Sequence, residues 1–128
     1  MYNILGWKNR LEEDEKKRLK VYRKAKIVSQ KAAEILVEKF GANKVYLIGS
    51  LKSKDEFQQA SDIDLVVEGL KAEKYFKALS FIWGLLPKGM KLDLIPLEET
   101  DGYFRSNILE EGIILYDKKR VISSKKTD

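Results

Sequence analysis

Three aspartates and a glycine-serine pair carry the chemistry legible in this chain. Gly49-Ser50 is followed, after eleven residues, by Asp62-Ile63-Asp64, and a further carboxylate, Asp93, lies inside the apolar run Leu92-Asp93-Leu94-Ile95. Residues 62–67 are rich in β-branched side chains and predict a strand. Alternation along a strand turns Asp62 and Asp64 to one face, roughly 7 Å apart at a rise of about 3.3 Å per residue. Like charges so placed repel as they leave water, and a divalent cation removes that repulsion. Asp93-Leu94-Ile95 predicts a second short strand that could bring a third carboxylate to the same edge. Three carboxylates with open positions suit Mg²⁺, which takes oxygen ligands and keeps substrate phosphates in its shell. Gly49-Ser50 ends the apolar run 45–48, where glycine permits a tight turn and a close backbone approach. Serine adds a hydroxyl and an amide, both donors to a phosphate oxygen. Either piece alone is an ordinary turn or a pair of surface acids; their order along the chain points to a metal and triphosphate site.

Such a site needs elements to hold it. Residues 8–39 predict one long helix, with Val21, Ala25, Val28, Ala32, Ile35 and Leu36 spaced by three or four into a single stripe. Gly41 is a natural C-terminal stop. Its first half, 8–20, is highly charged and reads as a projecting, solvated helix, preceded by Tyr2, Ile4, Leu5 and Trp7, which could dock on a partner. Residues 71–86 predict a second helix ended by Gly84 and Pro87, with Tyr75, Phe76, Phe81 and Trp83 expected to pack against the sheet. A third, 103–111, stops at Gly112, and 113–116 returns as a strand. The order α-β-β-α-β-α-β predicts an α/β fold, a small mixed β-sheet with helices packed on one face.

The length of 128 residues and a hydrophobic content of 44% fit one domain, residues 1–117, with a core at 41–117. Cysteine and histidine are absent, which excludes disulfides, thiolate chemistry, Ser-His-Asp catalysis and histidine-bound zinc. Carboxylates, lysines, tyrosines and bound metal remain as chemical actors. No stretch approaches the roughly 18 apolar residues of a membrane span, and the N-terminus lacks the pattern of a secretion signal, so a cytoplasmic location and no membrane association are expected. The charged fraction of 35%, dominated by Lys and Glu, is compatible with a heat-adapted source. Of the net charge of +5, residues 118–128 hold +4, as five Lys/Arg against Asp128, leaving +1 for the rest. That basic tail reads as a solvated, disordered end, with nucleic acid or an acidic partner as the alternative.

The motif residues resemble the minimal nucleotidyltransferases of the DNA polymerase beta superfamily, whose signature is Gly-Ser followed about ten residues later by Asp-x-Asp. The resemblance covers about residues 41–117: segments 45–50, 61–67 and 91–95 look like the family's three motif strands, and 110–116 like its closing helix-to-strand segment. The loop 51–57 departs from the family's usual small residue, arginine and glycine, and the spacer is one residue longer than its commonest form; Lys52 or Lys54 could supply the missing positive charge near phosphate. The resemblance implies a two-Mg²⁺ site with Asp62, Asp64 and Asp93 as catalytic and metal-binding residues. It implies Gly49, Ser50, Lys52 and Lys54 as nucleotide-binding residues and ATP as substrate. Such proteins often accompany a helical HEPN-family RNase toxin and act as its antitoxin by adenylylating a tyrosine near its active site. Alternatives are a non-catalytic nucleotide- or partner-binding module, or transfer to RNA or a small molecule. So short a chain has little room for an acceptor domain, so a homo-oligomer or a partner is expected to supply that surface.

Overall fold

Four short apolar runs make one sheet: β1 (Lys44–Ile48), β2 (Ile63–Glu68), β3 (Leu92–Pro96) and β4 (Ile113–Asp117), in the spatial order β3-β2-β1-β4. These assignments come from a computed structural model of the chain, which describes residues 4–120. β1 pairs antiparallel with both β2 and β4, while β2 and β3 run parallel, so the sheet is mixed as expected. A parallel pair needs a crossover, and helix α2 (Tyr75–Leu85) supplies it.

Helix α1 (Ile4–Glu38) is longer at its start than the expected 8–39. Ile4, Leu5 and Trp7 therefore lie within the helix rather than before it, because Gly6 alone costs only about 1 kcal/mol of helix propensity and no proline intervenes. Gly41, at φ +80°, ends the helix, and the Ala42 N–H turns back to the Leu36 carbonyl at 3.0 Å. Its buried stripe is Ala25, Ser29, Ala32, Ala33, Leu36 and Val37. Val21, Val28 and Ile35 lie along its half-buried flank. Small residues dominate this stripe, which lets the helix approach the sheet closely.

The two faces of the sheet differ. Val45, Leu47, Ile63, Leu65, Val67, Leu92 and Leu94 join α1 and α2 in the main core. The opposite face carries a smaller cluster of Tyr46, Val66, Leu97 and Ile108, the last from helix α3 (Gly102–Glu111). The one-face expectation thus holds for α1 and α2, while α3 covers part of the other face. Alternation accounts for this: Tyr46 and Val66 are apolar at positions pointing away from the main core and need a cover of their own.

Helix α2 corrects one expectation. Only Ala78 and Ile82 are buried in it, whereas Phe76 is 77% exposed and Phe81 and Trp83 are also exposed. Its α-helical part begins at Tyr75, after a 3-10 turn at Ala72–Lys74, and runs through Gly84. It ends where Pro87 forces Leu86 into an extended conformation. The helix flanks an edge strand, so only a narrow stripe reaches the core. Two of its aromatics serve the backbone instead: Tyr75 Oη donates to the Leu94 carbonyl at 2.5 Å and Trp83 Nε1 to the Leu92 carbonyl at 2.9 Å. Both carbonyls lie on β3, which has no strand beyond it, and Pro96 contributes no N–H. The free edge is thereby partly closed to pairing with another chain.

After β4, Lys118–Arg120 are helical, so the described backbone continues three residues past the expected boundary at 117, and residues 121–128 lie outside the described residues. No helix among the described residues is long and apolar enough to cross a membrane.

Candidate active site

Asp64 and Asp93 are brought together by strand register. They are direct partners across the parallel β2–β3 pair, so their backbones sit about 4.8 Å apart. On β2, Ile63, Leu65 and Val67 enter the main core, which turns Asp64 to the face of Val66. On β3, Leu92 and Leu94 do the same, which turns Asp93 to the face of Ile95. Both carboxylates therefore stand on the more sparsely covered face. Asp62 is exposed and lies just before β2, which begins at Ile63 rather than at Asp62 as expected.

The Gly49-Ser50 turn comes to the same point from β1. Ile48 pairs with Asp64, so the chain leaving β1 passes over the Asp64 carboxylate. Gly49 has φ +81°, and a Cβ there would stand 2.6 Å from Asp64 Oδ2. Glycine is thus required on two counts, a left-handed backbone and a close approach. Ser50 then opens a 3-10 turn, Ser50–Lys52, closed by the Ser53 N–H on the Ser50 carbonyl. Lys52 is half-buried in that turn; Lys54 is exposed, and its charge acts on Glu15 of α1, which places it toward the helix.

The electrostatics follow from this placement. Burial first, then the charges of Asp93 and Asp62, push the Asp64 carboxyl above its ordinary range. None of Asp62, Asp64 and Asp93 has a hydrogen bond or an ion pair among the described residues. As they stand, no three acidic side chains among the described residues are close enough together to grip a metal ion. The donor set nevertheless suits a hard divalent cation: oxygen donors alone, with mutual repulsion that no lysine or arginine relieves. Asp64 and Asp93 are neighbours in register, and Asp62 lies one residue before the start of the same strand.

Three side chains around the site have roles that escaped sequence reasoning. Arg18, within the stretch read as a solvated helix, donates from Nη1 to the carbonyls of Lys54 and Phe57 at 2.6 and 2.8 Å. It thereby ties α1 to the loop between the two motifs; nothing local in the sequence marks it, since its partners are backbone oxygens. Tyr75 and Trp83 border a groove of about 450 Å³ between α2 and β3 that reaches Asp93. Their aromatic character was visible, but not their role at the strand edge.

Comparison with known proteins agrees with this geometry. A family model described as "Polymerase beta, Nucleotidyltransferase" matches residues 30–121, spanning the sheet and all three aspartates. The chain belongs to the polymerase beta nucleotidyltransferase family. Among solved structures, the fold is similar to a toxin-antitoxin crystallised with AMP-PNP, at 18% identity and TM-score 0.55, covering 77% of this chain and 87% of that one. It is also similar to the toxin-antitoxin MntA-HepT, at 17% identity and TM-score 0.52, covering 80% of this chain and 87% of that one. At such identities the likeness is one of fold. No curated protein matches the chain significantly.

Proposed function

We propose that this nucleotidyltransferase-family domain transfers AMP from ATP to a hydroxyl of a protein partner, a tyrosine of a HEPN-family toxin, and so acts as the toxin's antitoxin. The observation that carries the reading is the pairing of Asp64 with Asp93 in register, with Gly49 packed on the Asp64 carboxylate. The MntA-HepT fold neighbour and the one crystallised with AMP-PNP support the choice of partner class and nucleotide.

Asp62, Asp64 and Asp93 would hold two Mg²⁺ ions, which when bound neutralise the carboxylates and the phosphate charge that develops in the reaction. The chain's own groups do the rest. Gly49 lets the triphosphate lie against the backbone, and the Ser50 hydroxyl and amide donate to its outer phosphate oxygens. Lys52, in the same turn, and Lys54, further along the loop, add positive charge. Asp93, exposed at the rim, accepts the proton of the attacking hydroxyl. The acceptor oxygen bonds to the α-phosphorus, the bond from that phosphorus to the bridging oxygen breaks, and pyrophosphate leaves.

The test is Mg²⁺-dependent transfer of label from α-labelled ATP onto a co-expressed toxin partner, comparing wild type with the Asp62→Ala/Asp64→Ala double variant. Labelled protein that disappears in the variant is the expected result. Label in RNA or a small metabolite would keep the chemistry and move the acceptor. A second reading, a non-catalytic binding module, is favoured by the separation of the three carboxyl groups as they stand. Background labelling in both proteins despite a stable complex would establish it instead.

A further inference from the structure

The loop between the two motifs leaves at Ser50 and returns at Asp62, so its position sets both ends of the site. It has modest internal support. Ser53 accepts the N–H groups of Glu56 and Phe57 on its carbonyl, at 3.2 and 3.1 Å, and Gln58 and Ser61 bond each other. Phe57 anchors it on the apolar side, buried and edge-on to Tyr22 of α1 at 5.5 Å. The carbonyls of Lys54 and Phe57 converge on one point, and that point is filled by Arg18 Nη1. Arg18 is itself held by Glu15, whose two carboxylate oxygens accept from Nε at 2.9 Å and Nη2 at 2.7 Å. Four of the five guanidinium N–H donors are thus engaged. A planar fork with donors on three nitrogens can bridge a carboxylate and two carbonyls at once; an ammonium cannot reproduce that geometry.

We infer that Arg18 is a positioning residue for the nucleotide site: held by Glu15, it clamps the 51–61 loop so that the Gly49-Ser50 turn and Asp62 are preset for the triphosphate. This rests on the nucleotidyl-transfer reading above. It also makes the N-terminal half of α1 a working part of the site.

The experiment compares the full-length chain with Arg18→Ala, Arg18→Lys and Glu15→Gln, by hydrogen exchange of peptides covering residues 51–61 and by nucleotide KM and kcat in the labelling assay. Arg18→Ala is expected to speed exchange in that loop by about tenfold or more, leaving the β2–β3 peptides unchanged, and to raise nucleotide KM by a similar factor with a smaller effect on kcat. Arg18→Lys is expected to recover less than half of either change, and Glu15→Gln to fall between it and wild type. The two milder variants carry the test should Arg18→Ala fail to fold. Unchanged loop exchange would overturn the clamp. Faster loop exchange with unchanged KM and kcat would overturn the positioning role, as would full rescue by lysine. A wild-type protein that transfers no label, yet whose loop loosens in the Arg18 variants, would retain the clamp and sink the transfer reading instead.

Discussion

Replacing Asp64 with asparagine should stabilise the protein while destroying its proposed chemistry. Asp64 is half-buried with no hydrogen bond or ion pair among the described residues, and burial together with the charges of Asp93 and Asp62 raises its pKa. A carboxyl with a raised folded-state pKa resists ionisation, so its negative charge works against the folded state. That penalty is absent below the unfolded pKa of about 3.9, where the group is protonated in both states. It is fully developed once pH exceeds the raised folded value. The size follows from the strand register. Two unit charges separated by the roughly 5 Å spacing of adjacent strands would repel by about 0.8 kcal/mol at the dielectric of water and about 3 kcal/mol at an effective value of 20. Because Asp93 is exposed, the water-like end governs, giving about 1 kcal/mol. For a chain of this size that corresponds to roughly 3–5 °C in Tm. Asp64→Asn is therefore expected to melt several degrees higher than wild type at pH 8 in EDTA, with the difference closing near pH 3. Addition of Mg²⁺ is expected to raise wild type more than the variant and narrow or reverse the gap. Urea unfolding at the two pH values measures the same free energy independently of Tm. An asparagine variant equal to or less stable than wild type at pH 8 without divalent cation would refute the repulsion argument.

Two further substitutions probe the parts around that carboxylate. Gly49→Ala places a methyl group on Asp64 Oδ2 and strains a backbone at φ +81°, so it should cost about 1–3 kcal/mol in urea unfolding and abolish nucleotide-dependent thermal stabilisation. Wild-type behaviour in both would mean that the turn is not held against β2. Tyr75→Phe removes the donor to the Leu94 carbonyl at the β3 edge and should cost about 1 kcal/mol at neutral pH. Burial first, then Glu99 and Asp93, hold the Tyr75 phenol above its ordinary pKa. Its contribution should therefore persist to about pH 10 and fall away as pH rises further, so the stability gap to the phenylalanine variant should close in that range. A gap that is unchanged from pH 7 to beyond that range would assign the cost to something other than the hydroxyl.

Much of this architecture is local information. The apolar run after Asp62 marked β2, the spacing of three and four marked α1, and Gly41 and Pro87 ended helices for reasons confined to their own backbones. Absence of histidine and cysteine narrowed the possible chemistry before any fold was known. Other features depend on what lies across space. That β3 would be the parallel neighbour of β2, with Asp93 opposite Asp64 rather than one residue off and on the other face, is decided by long-range register. The aromatics of α2 looked like core because the sequence shows their apolarity but not that the helix flanks an edge strand, where only Ala78 and Ile82 are buried. Tyr46 and Val66 required a cover on the second face, and Ile108 of α3 supplies part of it. Arg18 was indistinguishable from its charged neighbours, because the two carbonyls it holds belong to backbone 36 and 39 residues away. Composition and periodicity thus determined which residues could do chemistry and which elements bear them. Tertiary structure alone decided which of them meet, since pairing and side-chain-to-backbone contacts leave no periodic trace in the chain.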